Sequence, residues 1–144
     1  MSDKAFVDTN ILVYAHDVFS GIKHERARSL IENLWINDRG VLSTQVLKEL
    51  CVSLQRKSVY KFTVEEIQSL ISDFKSWQIV VNTPDSIIEA LTIQAHYQVS
   101  FWDALIIQAA EISGAAILYT EDLSDGQTYG SVYVVNPLTE TGSL

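Results

Sequence analysis

The chain of 144 residues has one cysteine, Cys51, two prolines, and neither lysine nor arginine from residue 76 onward. A single cysteine excludes an internal disulfide and agrees with a reducing compartment. No apolar run approaches the about 20 residues that a membrane-spanning helix needs. The first residues show no basic stretch followed by an apolar one, so no secretory leader is expected and the expected location is cytoplasmic. No repeat, low-complexity tract or Pro/Gly/Ser-rich linker divides the chain. The missing basic residues exclude a uniformly basic nucleic-acid coat protein and a polybasic membrane patch, so no membrane partner is expected.

What is present is apolar mass and acid. Hydrophobic residues make up 47% of the chain, enough for a buried core. The length fits one domain, expected over residues 1–138, with residues 139–144 as a loose tail. Residues 1–75 carry ten basic and ten acidic side chains, whereas residues 76–144 carry eight acids, so the net charge of −8 belongs to the second half. The apolar pattern alternates between short β-rich runs and helical stripes. Strands are expected at 5–7, 40–43, 78–81, 115–119 and 131–135. Helices are expected at 10–16, 23–35, 44–57, from Thr63 to about 75, from Pro84 onward, and from Ser100 to Gly114. Thr63 with Glu66 reads as a capping box, and Pro84 suits a first helical position. Strands separated by helices predict an α/β fold, a central parallel sheet with helices on both faces.

In open sheets of this kind ligands bind beyond the carboxyl ends of the strands, and carboxylates stand there. Asp8 ends the first strand, while Glu121, Asp122 and Asp125 follow the strand at 115–119. Glu49 and Asp103 lie in apolar helical surroundings. Converging carboxylates without His or Cys at ligand spacing suit a hard cation such as Mg²⁺ or Mn²⁺ rather than zinc, since His16, His24 and His96 make no such spacing with Cys51. Each acid also has a plainer reading. Asp8 and Asp103 suit helix capping, Glu49 a solvated helix face, and Asp122 and Asp125 a turn. Arg56, Lys57 and Lys61, with Tyr60 among them, make a candidate phosphate track, or a solvated helix end. Trp35, Trp77 and Trp102 read as core. No lysine or arginine stands near the second-half acids in sequence, so metal is expected to supply most of the positive charge there.

Four segments in order carry a resemblance: Phe6-Val-Asp-Thr-Asn-Ile-Leu-Val-Tyr-Ala, Ser43-Thr-Gln-Val-Leu-Lys-Glu-Leu, Ser100-Phe-Trp-Asp-Ala-Leu-Ile and Tyr119-Thr-Glu-Asp-Leu-Ser-Asp-Gly. The chain resembles the PIN-domain ribonucleases over residues 4–137, and among them the VapC-like toxins of toxin–antitoxin pairs. The resemblance implies a PIN fold with its acids at one edge. It matches Asp8, Glu49, Asp103 and Asp122 to the family's four acids, Thr9, Asn10 and Thr120 to their polar neighbours, and Asp125 to an additional acid of some members. It implies one or two Mg²⁺ or Mn²⁺ ions held by Asp8, Asp103 and Asp122, with Glu49 as a further ligand or orienting the attacking water. It also implies an RNA substrate, a 5′-phosphate product, a homodimer, and a cognate antitoxin able to send a basic side chain among the acids. Two alternatives remain. One is a degenerate PIN domain that binds RNA or protein without cutting. The other is a Mg-dependent phosphohydrolase with an aspartate nucleophile, which usually wants a second acid where Asn10 stands.

Overall fold

The computed structural model describes residues 3–56 and 60–139. Strand β1 (Ala5–Val7) is wholly buried and runs into helix α1 (Thr9–His16), which is followed by a 3₁₀ turn at Val18–Ser20. Then come α2 (Ile22–Ile36), β2 (Gly40–Ser43), α3 (Thr44–Arg56), α4 (Val64–Phe74), β3 (Gln78–Val80), α5 (Pro84–Tyr97) and α6 (Phe101–Ser113). The chain closes with β4 (Ile117–Tyr119), β5 (Thr128–Tyr129) and β6 (Val132–Val135).

The sheet order is β3-β2-β1-β4-β6-β5. All neighbours are parallel except β5 and β6, which pair antiparallel as a hairpin turning at Gly130. This is the expected α/β architecture with one addition. Strand β5 was not expected, because two residues show no alternation for a pattern to reveal. β1 pairs with β2 on one side and β4 on the other, so the order of connection reverses between β1 and β4. At such a switch point the loops leave a crevice beyond the carboxyl ends of the strands.

Local signals explain most boundaries. Thr63 and Glu66 form the expected reciprocal capping box, and Thr83 with Ser86 makes a second, ahead of Pro84. Ser100 accepts from the Asp103 N–H to open α6, and Gly114 ends it in the left-handed conformation at φ 79°. α6 is buried from Ala104 to Ala110 and packs against α5 and the sheet. Trp35, Phe74 and Trp77 form an aromatic cluster with ring centroids 4.8–5.4 Å apart. Of the three tryptophans only Trp77 is core: Trp35 is at the border of exposure and Trp102 is 62% exposed. Trp102 sits in the first turn of α6. Among the described residues no helix is long and apolar enough to cross a membrane. Of the expected tail, residues 140–144 lie outside the described residues.

Candidate active site

Asp8 is the first residue after β1 and caps α1. Its Oδ1 accepts from the Thr9 N–H at 2.7 Å and its Oδ2 from the Thr120 hydroxyl at 2.8 Å. The capping role and a site role are therefore not rivals, since one carboxylate is fixed by the element junction and faces the crevice. Thr120 stands directly after β4, and its Oγ1 also accepts from the Asp122 N–H at 3.1 Å. One hydroxyl thus ties the two strand ends and their acids together. From α3, Glu49 accepts a hydrogen bond from the Thr9 hydroxyl at 2.9 Å, so it faces α1 rather than open solvent.

Asp8, Glu49, Asp103 and Asp122 all line one cavity of about 690 Å³, with Thr9 and Asn10. Both side-chain amide atoms of Asn10 are buried without a hydrogen-bond partner among the described residues. Asp125 does not line the cavity, and its carboxylate accepts from the Asn136 N–H at 2.9 Å, tying the connection between β4 and β5 to the end of β6. Glu121 turns to the outer side, accepting from the Tyr14 hydroxyl at 2.7 Å and pairing with Lys23 at 3.3 Å.

The electrostatics follow from crowding and burial. Burial pushes the Asp8 carboxyl up to about 7; the hydrogen bonds from Thr120 and Thr9 oppose the rise, and Asp122 and Glu49 add to it. Asp103 is also raised, chiefly by burial, with Asp122 contributing. Among the described residues no group of three or more His, Cys, Asp and Glu side chains is already arranged to hold a metal ion. The donors themselves suit one: they are all oxygen, they crowd Asp8 and Asp103 enough to raise both, and an unpartnered buried amide stands beside them. A divalent cation would relieve that crowding.

Two basic residues also line the cavity, Lys48 and Arg56 of α3. The fold thus brings basic side chains of the first half beside the second-half acids, although none is near them in sequence. Lys48 was missed, yet α3 carries the signal. Gln45, Glu49, Val52 and Arg56 are spaced by four, three and four, one helical face, opposite the buried stripe of Val46, Leu50 and Leu54. Lys61 is exposed and outside the cavity, and Lys57 lies outside the described residues. Tyr14 and Trp102 complete the rim.

An open, mostly parallel sheet with carboxylates gathered at its switch point defines a class of acidic-site α/β proteins. The PIN domain family model matches residues 5–124, and the chain belongs to that family. No curated protein matches the sequence. Solved structures share the fold at low identity. A toxin–antitoxin complex from Klebsiella pneumoniae is similar with a TM-score of 0.68 and 22% identity, over 93% of this chain and 98% of that one. Mycobacterium tuberculosis VapC20, described as a sarcin–ricin loop cleaving toxin, has a TM-score of 0.64 and 19% identity over 83% and 90%. DNA-bound VapBC from Salmonella typhimurium has a TM-score of 0.64 and 17% identity over 93% and 97%.

Proposed function

We propose that this chain is a divalent-metal-dependent endoribonuclease, the toxin of a toxin–antitoxin pair, acting in the cytoplasm as a homodimer with one PIN domain over residues 1–138. The observation that carries the reading is the convergence of four acids, from four separate chain segments, on one cavity at the sheet's switch point. The cofactor is Mg²⁺ or Mn²⁺, one or two ions, held by Asp8, Asp103 and Asp122 directly or through water. When bound, such an ion neutralises the phosphodiester and lowers the pKa of a coordinated water.

The chain's own residues do the rest. Thr120 and the Thr9 amide hold Asp8 in one orientation. Thr9 does the same for Glu49, which serves as a further ligand or orients the attacking water. Asn10, with its amide free for a partner, positions substrate. Lys48 and Arg56 draw the phosphate chain toward the acids, and Lys57 and Lys61 extend that track. The cut leaves a 5′-phosphate and a 3′-hydroxyl. A cognate antitoxin is supported by similar structures being toxin–antitoxin complexes, and RNA by one being a loop-cleaving toxin. A basic antitoxin side chain in this cavity would compete for the carboxylates.

RNA cleavage by the full chain tests the reading. Asp8→Asn and Asp103→Asn should each lower the rate by roughly a hundredfold or more, and a chelator should abolish it until Mg²⁺ is restored. Near-UV circular dichroism should stay unchanged. Full cleavage by Asp103→Asn in chelator overturns the proposal. Turnover of a simple phosphate ester with no action on RNA would favour the phosphohydrolase.

A further inference from the structure

The acid end of the cavity is assigned above, and its other wall is not. That wall is apolar: Val13, Val52, Ile106 and Trp102 line it. Trp102 precedes Asp103 directly and is 62% exposed, and Val52 is 44% exposed. A large indole left mostly open beside a group of carboxylates adds little to the buried core. Two contacts fix it, one on the ring and one on the backbone that carries it. The Phe101 ring packs edge-on against it, with centroids 5.3 Å apart and planes at 78°. From α3, Gln45 donates its amide N–H to the Trp102 carbonyl at 3.2 Å. Gln45 is buried, and its Oε1 has no partner among the described residues. The cavity has a second aromatic, Tyr14, but its ring is covered by the Lys23 ammonium 4.9 Å from the centroid and its hydroxyl is tied to Glu121. Trp102 is the aromatic face left open.

We propose that Trp102 is a stacking platform for one base of single-stranded RNA, next to the phosphate held at the acids, with Gln45 as the residue that positions it. The inference rests on the ribonuclease reading and names the substrate class of the same site. A nucleotide has the chemistry this cavity offers in halves: a planar apolar ring for Trp102 and Val52, and an anionic phosphate for Lys48, Arg56 and a cation among the acids. Bases in a duplex are already stacked on one another, so the platform selects RNA whose bases are free.

Two measurements on the full chain test it. The first is anisotropy of a fluorescein-labelled, random-sequence 20-nucleotide RNA, in the non-cleaving Asp103→Asn background. Trp102→Ala should weaken binding about tenfold, in the range of a lost base–aromatic stack, and Trp102→Phe should recover most of it. Trp102→Leu, apolar but without a π-face, should not. Binding of a blunt 20-base-pair RNA should not change. The second is cleavage of the same RNA pool with sequencing of the ends. Trp102→Ala should raise KM with kcat within about threefold, and flatten the base preference at one position beside the cut. Gln45→Leu should move KM in the same direction by less. Unchanged KM and preference in Trp102→Ala, or recovery by Trp102→Leu as full as by Trp102→Phe, overturns the proposal. Wild-type chain that cuts RNA indifferently to Trp102 defeats only the platform. Wild-type chain that binds single-stranded RNA through Trp102 without cutting defeats the nuclease reading instead.

Discussion

Asp8 shows what a single residue costs and provides. Its carboxyl, buried and beside Asp122 and Glu49, holds its proton to about pH 7, whereas in the unfolded chain it would lose it near 3.8. The folded state therefore binds more protons than the unfolded one across that window. Stability contributed by this group is fully present below about pH 4, is lost as pH rises toward 7, and levels off above it. The gap is worth about 4 kcal/mol at most. Asp8→Asn keeps an oxygen for the Thr9 N–H and removes the charge. In chelator, its unfolding free energy should exceed that of the parent by more at pH 8 than at pH 5, the difference widening by about 2–3 kcal/mol. Urea titrations of both proteins at the two pH values measure it, and a difference that stays constant would remove the burial penalty from Asp8. The same substitution should abolish cleavage, so one residue is expected to trade stability for activity. At this scale placement at strand ends or in apolar helices singled out six acids, and the family resemblance narrowed them to Asp8, Glu49, Asp103 and Asp122. Trp102 was not legible, because its positions three and four residues ahead, Leu105 and Ile106, are buried and helical phase alone would bury it too.

Among the elements, the boundaries that were legible are those with local chemistry. The Thr63–Glu66 capping box fixes the start of α4 through two reciprocal bonds, Glu66 N–H to Thr63 Oγ1 at 3.1 Å and Thr63 N–H to Glu66 Oε1 at 2.8 Å. Thr63→Ala should cost about 1 kcal/mol in global unfolding, and a loss below about 0.3 would show that packing alone holds α4. Features set by tertiary contact were not legible. Strand β5 exists through its pairing with β6, and Gly40 owes its identity to Trp77. A Cβ at Gly40 would stand 2.3 Å from Cε3 of the buried Trp77 ring. Neither the strand backbone, paired to β1 at Ala5, nor the ring has room to yield. Gly40→Ala should destabilise by about 2 kcal/mol or more, and adding Trp77→Leu should recover part of the loss. Denaturation midpoints of the two single variants and the double variant measure the coupling, and strict additivity would mean that the ring is not what excludes the methyl.

At the scale of the whole molecule, charge is segregated in sequence and mixed in space. Every lysine and arginine lies before residue 76, but α3 carries Lys48 and Arg56 to the cavity that Asp103 and Asp122 enter from the other half. The block pattern along the chain concealed this, because the sheet order puts β2, which leads into α3, beside β1 and one strand away from β4. Among the described residues the ion pairs are Lys23–Glu121 and Arg28–Glu32, so Lys48 and Arg56 are not neutralised by a carboxylate partner. The consequence is a weak but measurable salt dependence. A chain with net charge −8 that engages RNA through Lys48, Arg56, Lys57 and Lys61 contacts about four phosphates. For single strands that corresponds to a slope of roughly −3 in log K against log salt concentration. Arg56→Gln should reduce the slope by about 0.7 and weaken all sequences alike, in contrast to Trp102, whose loss should leave the slope unchanged. Asp103→Asn in saturating Mg²⁺, titrated with the labelled RNA from 50 to 300 mM NaCl, gives both slopes. A slope near zero would mean that the basic face of α3 does not touch the nucleic acid. An unaltered slope in Arg56→Gln would exclude that residue from the phosphate track, because released counterions report each lost contact directly.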